Sequence, residues 1–451
     1  MLTKNSDIIA AISTPFGEGA ISVIRISGQG CLKKINKIFN GKTDLEKAKP
    51  NTIHYGKIFD KKNKIIDDVL VSIFKNPNSY TGEDSAEIST HGNPLITQKI
   101  LDLLFSLDIR AAEPGEFTKR AFINGKMDLT QAEAVADIIN ARTNVSLKGA
   151  RNQLDGLLSS KINELRNLLI DASSLLELEL DFAEEDLEFI SYKEIKRRIN
   201  NINSELKNLV NSYKIGKIVK DGVNVVLVGK PNVGKSSLLN YILKESRAIV
   251  SHIPGTTRDI IKEEISIDGI LFKIYDTAGI RLTDNEIEKE GVYRSRNAVK
   301  NADVVVFIND VESSFPEDLY QEILKLTKKN IINVINKIDL KRIKPEKNEI
   351  LISAKTGEGM EIFFNTLKEK SFGLEIFSEE NAIVTNIRHK NTLNKAIAFL
   401  DDANKAIKEK LSNEFIADDL RRAENALGEI IGKVTTEDIL NNIFSNFCIG
   451  K

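Results

Sequence analysis

An apolar run, Val223 to Val228, opens directly onto Gly229-Lys230-Pro231-Asn232-Val233-Gly234-Lys235-Ser236-Ser237. Such a word belongs where a strand hands over to a helix: Gly229 and Gly234 let the backbone fold its N–H groups around phosphates. Lys235 reaches the outer phosphates of a nucleoside triphosphate as a point charge, and Ser236 can put its hydroxyl on Mg²⁺. Asn232, Val233, Gly234, Lys235, Ser236 and Ser237 are therefore the first candidate contacts, within a doubly wound α/β domain.

The base is specified further along the chain. Asn336-Lys337-Ile338-Asp339 follows the apolar run Ile331 to Ile335, and Asp339 can accept from both N1–H and the exocyclic amine of guanine. Adenine offers no such donor pair and would leave a buried carboxylate unpaired. Ser353-Ala354-Lys355 closes the run Ile350 to Ile352, with the Ala354 N–H suited to guanine O6, and Asp276-Thr277-Ala278-Gly279 lies between the phosphate loop and Asn336. In this order, after strands, they predict a Ras-like P-loop GTPase.

The hydrolytic apparatus departs from the Ras pattern, because Ile280 follows Gly279 where a glutamine would orient the attacking water. Glu286 and Glu288 are the polar replacements within reach, and Glu288 is preferred. No arginine finger can be assigned, although Arg258 and Arg281 lie near the motifs. A K⁺ ion can take that place, with Asn232, Ser251, Ile253 and Thr256 as oxygen ligands. The stretch Ser251, His252, Ile253, Pro254, Gly255, Thr256 and Thr257 is expected to line the nucleotide, with Thr257 joining Ser236 on Mg²⁺.

The chain has 451 residues, which suggests about three domains. Its apolar runs are strand-length, so neither a transmembrane span nor a signal peptide is expected, and a cytoplasmic location is the default. Cys31 and Cys448 are too few for a disulfide framework or a zinc site. A net charge of −1 creates no global attraction for nucleic acid, so any RNA contact has to be local; Lys196 to Arg198 and Arg388 to Lys390 are short basic clusters.

Organisation follows from periodicity. Residues 1–118 alternate β-type runs with one helix pattern near Leu95 to Leu107, as an α+β domain would. Residues 119–215 turn helical, with Leu158, Ile162, Leu165, Leu169, Ala172 and Leu176 at helical spacing, and residues 376–451 return to that pattern from Leu393 onward. The GTPase segment, 216–375, sits between them. Two amphipathic blocks bury their stripes most simply against each other, which makes the GTPase an insertion into a discontinuous helical bundle. The fold class expected is thus multidomain, α+β and α/β.

Long words at both ends now carry a resemblance. They are Ile24-Arg25-Ile26-Ser27-Gly28, Tyr80-Thr81-Gly82-Glu83-Asp84, Pro114-Gly115-Glu116-Phe117-Thr118, Arg120 to Leu129, and the terminal Phe447-Cys448-Ile449-Gly450-Lys451. With them the chain resembles, over essentially its whole length, the MnmE (TrmE) family of tRNA-modification GTPases. The resemblance implies an N-terminal tetrahydrofolate-binding domain that also forms the homodimer, and an FAD-binding MnmG-type partner that completes a heterotetramer. It implies addition of a carboxymethylaminomethyl or aminomethyl group to C5 of the wobble uridine of certain tRNAs, using a one-carbon unit of 5,10-methylenetetrahydrofolate or a related reduced folate. Arg25, Glu87, Lys126 and Lys451 would be the folate contacts. Cys448 becomes a candidate for catalysis, by adding to uridine C6 or shuttling the one-carbon unit; otherwise it is packing at the end of an apolar helix stripe.

Two other classes compete. A ribosome-assembly GTPase switch of the Era/Der type would share the phosphate loop but should carry a KH-type module with a GXXG loop, which the chain lacks. A dynamin-like or septin-like GTPase would need a membrane-binding or polymerising segment.

Overall fold

The computed structural model describes residues 7–181, 190–245, 247–248, 262–276, 296–327, 330–344, 348–372, 382–445 and 447–451. Its contacts divide the chain into two compact units: residues 1–136, 154–183 and 413–451 form the first, and 137–153 with 184–412 form the second.

The first unit is built on a seven-stranded sheet of order β3-β4-β5-β6-β2-β1-β7. Its strands are β1 (Ile9–Ile12), β2 (Ile21–Ser27), β3 (Phe39–Gly41), β4 (Thr52–Phe59), β5 (Ile65–Phe74), β6 (Ser85–His91) and β7 (Arg110–Ala111). All neighbours are antiparallel except β1 and β7. Alternation decides the faces: Ile24 and Ile26 of β2, Val69, Val71 and Ile73 of β5, and Ala86 and Ile88 of β6 point into one core with helices α1 (Cys31–Asn36) and α2 (Pro94–Phe105). Asn93 starts α2 by accepting from the Leu95 N–H, with Pro94 at the first helical position, where no N–H is needed. Arg25 and Glu87 are register partners whose side chains fall on the other face.

Helices α3 (Glu116–Ile123), α4 (Leu129–Asn140), α5 (Asn144–Leu154), α6 (Leu157–Asp181) and α7 (Tyr192–Asp221) follow. The predicted stripe on α6 is real: Leu158, Ile162, Leu165, Leu169, Ala172 and Leu176 are buried.

The second unit carries the other seven-stranded sheet, of order β14-β13-β12-β8-β11-β10-β9. Its strands are β8 (Val223–Val228), β9 (Arg247–Ala248), β10 (Lys262–Ile267), β11 (Ile270–Asp276), β12 (Val304–Asp310), β13 (Asn330–Asn336) and β14 (Glu349–Leu351). Pairing is parallel from β14 through β11, and β10 and β9 add an antiparallel edge. The central strand β8 is apolar at every position but Asn224, because both its faces are covered. Val225 and Leu227 pack with helices α8 (Lys235–Glu245) and α10 (Met360–Phe372), whereas Val226 and Val228 join Phe307 and Ile323 of α9 (Glu317–Leu326).

Three further helices end the chain: α11 (Ile387–Glu409), α12 (Asn413–Ile431) and α13 (Glu437–Phe444). Each helical block before the second sheet finds a partner after it. In the first unit α6 lies on α12, with Arg166 2.6 Å from Glu424. In the second α7 lies on α11, where the Asn203 amide donates to Asp401 at 2.7 Å. The chain leaves α7 through Gly222, at a positive φ of 77°, and returns at Val384, whose N–H donates to Ser212 in α7. Among the described residues no helix is long and apolar enough to cross a membrane.

Candidate functional site

The loop after β8 has the shape its glycines predict. Gly234 adopts φ of 96°, and a Cβ there would run into the Asn336 side-chain nitrogen. Gly229 is equally confined, by the Ile308 carbonyl. Asn232 holds a left-handed φ of 67°, which asparagine tolerates better than most residues. The Lys235 ammonium donates to the carbonyls of Gly229 and Lys230, both at 2.9 Å, so it caps the loop from inside. Burial is the main influence on Lys235 and lowers its pKa, against the pull of the Asp276 carboxylate.

Ser236 Oγ lies 3.3 Å from one Asp276 oxygen, and the other Asp276 oxygen is buried with no hydrogen-bond partner among the described residues. An orphaned carboxylate oxygen beside a loop hydroxyl is a donor set that fits Mg²⁺, a hard cation that prefers oxygen. Val233 packs into the core, and Ser237 continues the first turn of α8.

Asn336 ties the base-reading loops to the phosphate loop. Its amide donates to the Val233 carbonyl at 2.9 Å, and its oxygen accepts from the Ala354 N–H at 3.0 Å. The Ala354 N–H expected at guanine O6 is thus engaged by Asn336 in this structure. Ser353 is fully buried and donates to Asp339 at 2.6 Å, fixing the carboxylate that would read guanine. Lys337, at a positive φ of 66°, reaches Asp310 at 2.6 Å. Burial pushes the Asp310 carboxyl up, but the Lys337 ammonium and Ser313 outweigh it and hold it below its usual range. Asp310 was not foreseen; its only sequence signal is its place at the end of the apolar run of β12. Lys355 is exposed beside this loop. Ser251, His252, Ile253, Pro254, Gly255, Thr256, Thr257, Thr277, Ala278, Gly279, Ile280, Glu286 and Glu288 lie outside the described residues.

A second polar cluster gathers on the outer face of the first sheet. The Arg25 guanidinium meets Glu87 at 2.8 Å and donates to the Gly450 carbonyl at 3.4 Å. Ser13 also donates to that carbonyl, at 3.2 Å. The rings of Tyr80 and Phe117 stand 5.3 and 5.7 Å from the guanidinium carbon, a cation–π arrangement that holds the guanidinium against two aromatic rings. Gly450 has φ of 92°, and a Cβ there would strike the Ile12 carbonyl, so the tail is seated against β1. Burial lowers the Lys451 pKa, and the nearby Arg25 lowers it further, against Cys448 and Glu87.

Arg25, Glu87 and Lys451 are therefore brought together. Lys126 is not bonded to them; it donates to the Pro77 carbonyl at 3.0 Å. Cys448 is exposed, not buried as ordinary packing would have it, whereas Cys31 is buried and its thiol is pushed up to about 12, chiefly by desolvation.

Behind the cluster runs an ion-pair network that sequence reading missed. Arg120, 5% exposed, meets Asp7 at 2.8 Å, Glu116 at 3.0 Å and Glu83 at 3.2 Å. Burial raises the Glu116 carboxyl, but Arg110, the Glu113 N–H and Arg120 outweigh it and hold it low. Glu83 also accepts from Ser27 at 2.8 Å, which links the network to β2. All these residues except Asp7, Arg110 and Glu113 fall in the long N-terminal words, and a buried arginine among acids was the available signal.

Comparison with known proteins now adds identity. Residues 8–126 match the family described as the GTP-binding protein TrmE N-terminus, and residues 129–448 match the MnmE helical domain. A protein of Clostridioides difficile (strain 630) named tRNA modification GTPase MnmE is 46% identical over 457 residues, covering 99% of both chains. One of the same name from Carboxydothermus hydrogenoformans is 43% identical over 458 residues, again covering 99% of both. From end to end, this chain belongs to the MnmE family.

Proposed function

We propose that this chain is a GTP-hydrolysing tRNA-modification enzyme. The observation that carries the reading is the match over 99% of the chain to relatives named tRNA modification GTPase MnmE. The Era/Der-type ribosome-assembly switch is not favoured, because the end-to-end relatives bear the tRNA-modification name.

The described side chains support GTP binding. Gly234, Lys235 and Ser236 take the phosphates, while Asp339, positioned by Ser353, accepts from the guanine edge. Mg²⁺ would be held by Ser236, near Asp276, with Thr257; it would neutralise charge developing between the phosphates. Glu288 would orient the attacking water, and Asn232, Ser251, Ile253 and Thr256 would hold a K⁺ ion whose charge would serve in place of an arginine finger. Domain boundaries at 118, 215 and 375 separate the N-terminal domain, the two helical segments and the inserted GTPase.

The N-terminal domain binds a reduced folate through Arg25, Glu87, Lys451 and Lys126, with a carboxylate and cations suited to a pterin edge and an anionic tail. Cys448, exposed beside Lys451, is free to act on a one-carbon unit. The outer sheet face bears Ile21, Ile53, Tyr55 and Leu70, which are 63, 65, 64 and 45% exposed. A second copy of the domain covering this stripe gives the homodimer. An MnmG-type FAD-binding protein completes the modifying complex in the cytoplasm.

Mass spectrometry of tRNA nucleosides from cells lacking the protein tests the reading. Loss of a modified wobble uridine, restored by the wild-type gene but not by Asp339→Asn, is expected. An unchanged nucleoside profile would overturn it.

A further inference from the structure

We infer that Asp310 is a positioning residue for guanine-nucleotide binding: it fixes the Lys337 side chain in place before the base arrives. This deepens the GTP-binding reading and rests on it. Strand β12 is apolar from Val304 to Ile308 and then ends in Asn309 and Asp310. Asp310 is level with Asn336 in the parallel pairing of β12 and β13, which puts it at the carboxyl end of the sheet, where open α/β sheets bind ligands. One Asp310 oxygen accepts from the Lys337 ammonium at 2.6 Å, and the other accepts from the Ser313 N–H at 2.8 Å. The carboxylate is thus anchored by its own loop and imposes its position on Lys337 rather than following it.

Lys337 needs such an anchor. Its backbone is left-handed, with φ of 66°, a conformation that a residue with a Cβ adopts at a cost. Its neighbours in the same word are Asn336, which bridges Val233 and Ala354, and Asp339, the carboxylate that would read guanine. Lysine also loses more rotamer freedom than most side chains when it is ordered. With the ammonium already held by a carboxylate whose side chain is 4% exposed, that loss is met in the free protein, and binding does not have to supply it. The same loop reaches the phosphate side. The Ser314 carbonyl accepts from the Lys230 ammonium at 3.3 Å, and the Lys230 carbonyl accepts from Lys235 at 2.9 Å. The turn after β12 therefore touches both the base-reading word and the phosphate loop. An ion pair that only stabilised the fold would act without regard to Lys337 and nucleotide, and this separates the two roles in a measurement.

Binding of fluorescent mant-GDP and mant-GTP to the full-length protein tests the assignment through a double-mutant cycle. Asp310→Asn keeps an oxygen for the Ser313 N–H but removes the charge, and should weaken both nucleotides about 20-fold. KM for GTP should rise by a similar factor while kcat at saturation stays within about twofold of wild type. Lys337→Met keeps the stem without the ammonium and should produce a loss of the same order. Adding Asp310→Asn to Lys337→Met should cost less than about twofold more, because Asp310 acts through that ammonium. Affinity of Asp310→Asn within about twofold of wild type would overturn the assignment. Losses that multiply in the double variant would also overturn it, placing the role of Asp310 in its loop alone. Should Asp310→Asn not fold, Lys337→Met decides, and wild-type affinity there would overturn the assignment. Failure of the GTP-binding reading appears separately, as no binding of either nucleotide by the wild-type protein.

Discussion

The nucleotide site and the tail site are built in opposite ways. Around the nucleotide, each functional word ends its own strand, β8, β11, β13 or β14, and parallel pairing aligns those ends without further help. Around Arg25, the groups come from β2, β6, the loop at Tyr80, α3 and the last residues of the chain; Arg25 and Gly450 are 425 positions apart. One site is a property of strand order, the other of a tail that must find its seat.

The largest effect expected from breaking this contrast is at Asp339. Asp339→Asn removes an acceptor pair that Ser353 holds in place, so GTP affinity should fall by roughly three orders of magnitude or more while xanthosine triphosphate binding improves. Folate affinity should not move. Competition binding with both nucleotides measures this, and an unchanged preference would remove guanine recognition from Asp339.

Next in size is Gly234→Ala. The new methyl meets the Asn336 amide on a backbone at positive φ, combining overpacking with a conformational penalty of about 2–5 kcal/mol in all. GTP binding should weaken about 100-fold, and because Asn336 also holds Ala354, the guanine loop should loosen with it. A variant that binds GTP as wild type does would show that the loop opens without cost.

These first two sites were legible because their chemistry depends on residues within a few positions of one another. Gly234, Lys235 and Ser236 act through a local backbone path, and an apolar run placed β8 before them. The amphipathic stripe of α6 and the one that returns from Leu393 also foretold that helices before the inserted sheet would pack on helices after it. What stayed hidden is long-range. Nothing local says that Asn336 bridges Val233 and Ala354, that Tyr80 and Phe117 flank Arg25, or that Arg120 draws in Asp7, Glu83 and Glu116. Those contacts depend on register and crossovers, which a linear pattern does not encode. Cys448 shows the same limit: its place after an apolar stripe suggests burial, yet the seat of Gly450 turns the tail so that the thiol is exposed.

The tail site can be sharpened by Arg25→Ala, with Glu87→Ala as its pair. Each should weaken binding of a reduced folate by about 1–3 kcal/mol, the range for a lost charge-assisted hydrogen bond, and leave GTP affinity unchanged. Arg25 also holds the Gly450 carbonyl, so its loss should release the tail and make Cys448 react faster with a thiol reagent, whereas Glu87→Ala should not. Calorimetry on the intact protein and thiol labelling read the two effects. Equal labelling of both variants would mean that Ser13 and the Gly450 turn seat the tail without Arg25.

The smallest effect concerns pH and again separates the two units. His91 ends β6 in the first unit, where its ring nitrogen lies 2.6 Å from Asp67 and its backbone N–H donates to the same carboxylate at 2.8 Å. The hydrogen bond to Asp67, followed by its charge, raises the pKa of His91 above the usual imidazole value. A folded pKa above the unfolded one adds stability that is fully present below about 6.5 and is lost as pH rises through the higher folded value. The His91 side chain is 71% exposed, so water screens the pair and the contribution is small. Hydrogen exchange at the amides of β5 and β6 should therefore quicken slightly from pH 6 to pH 8, beyond the intrinsic change, in wild type but not in His91→Gln. Amides of β8 and β12 in the second unit should show no such difference between the two proteins. Matching pH dependence of β5 and β6 in wild type and variant would show that Asp67 holds the strand end through the backbone N–H alone.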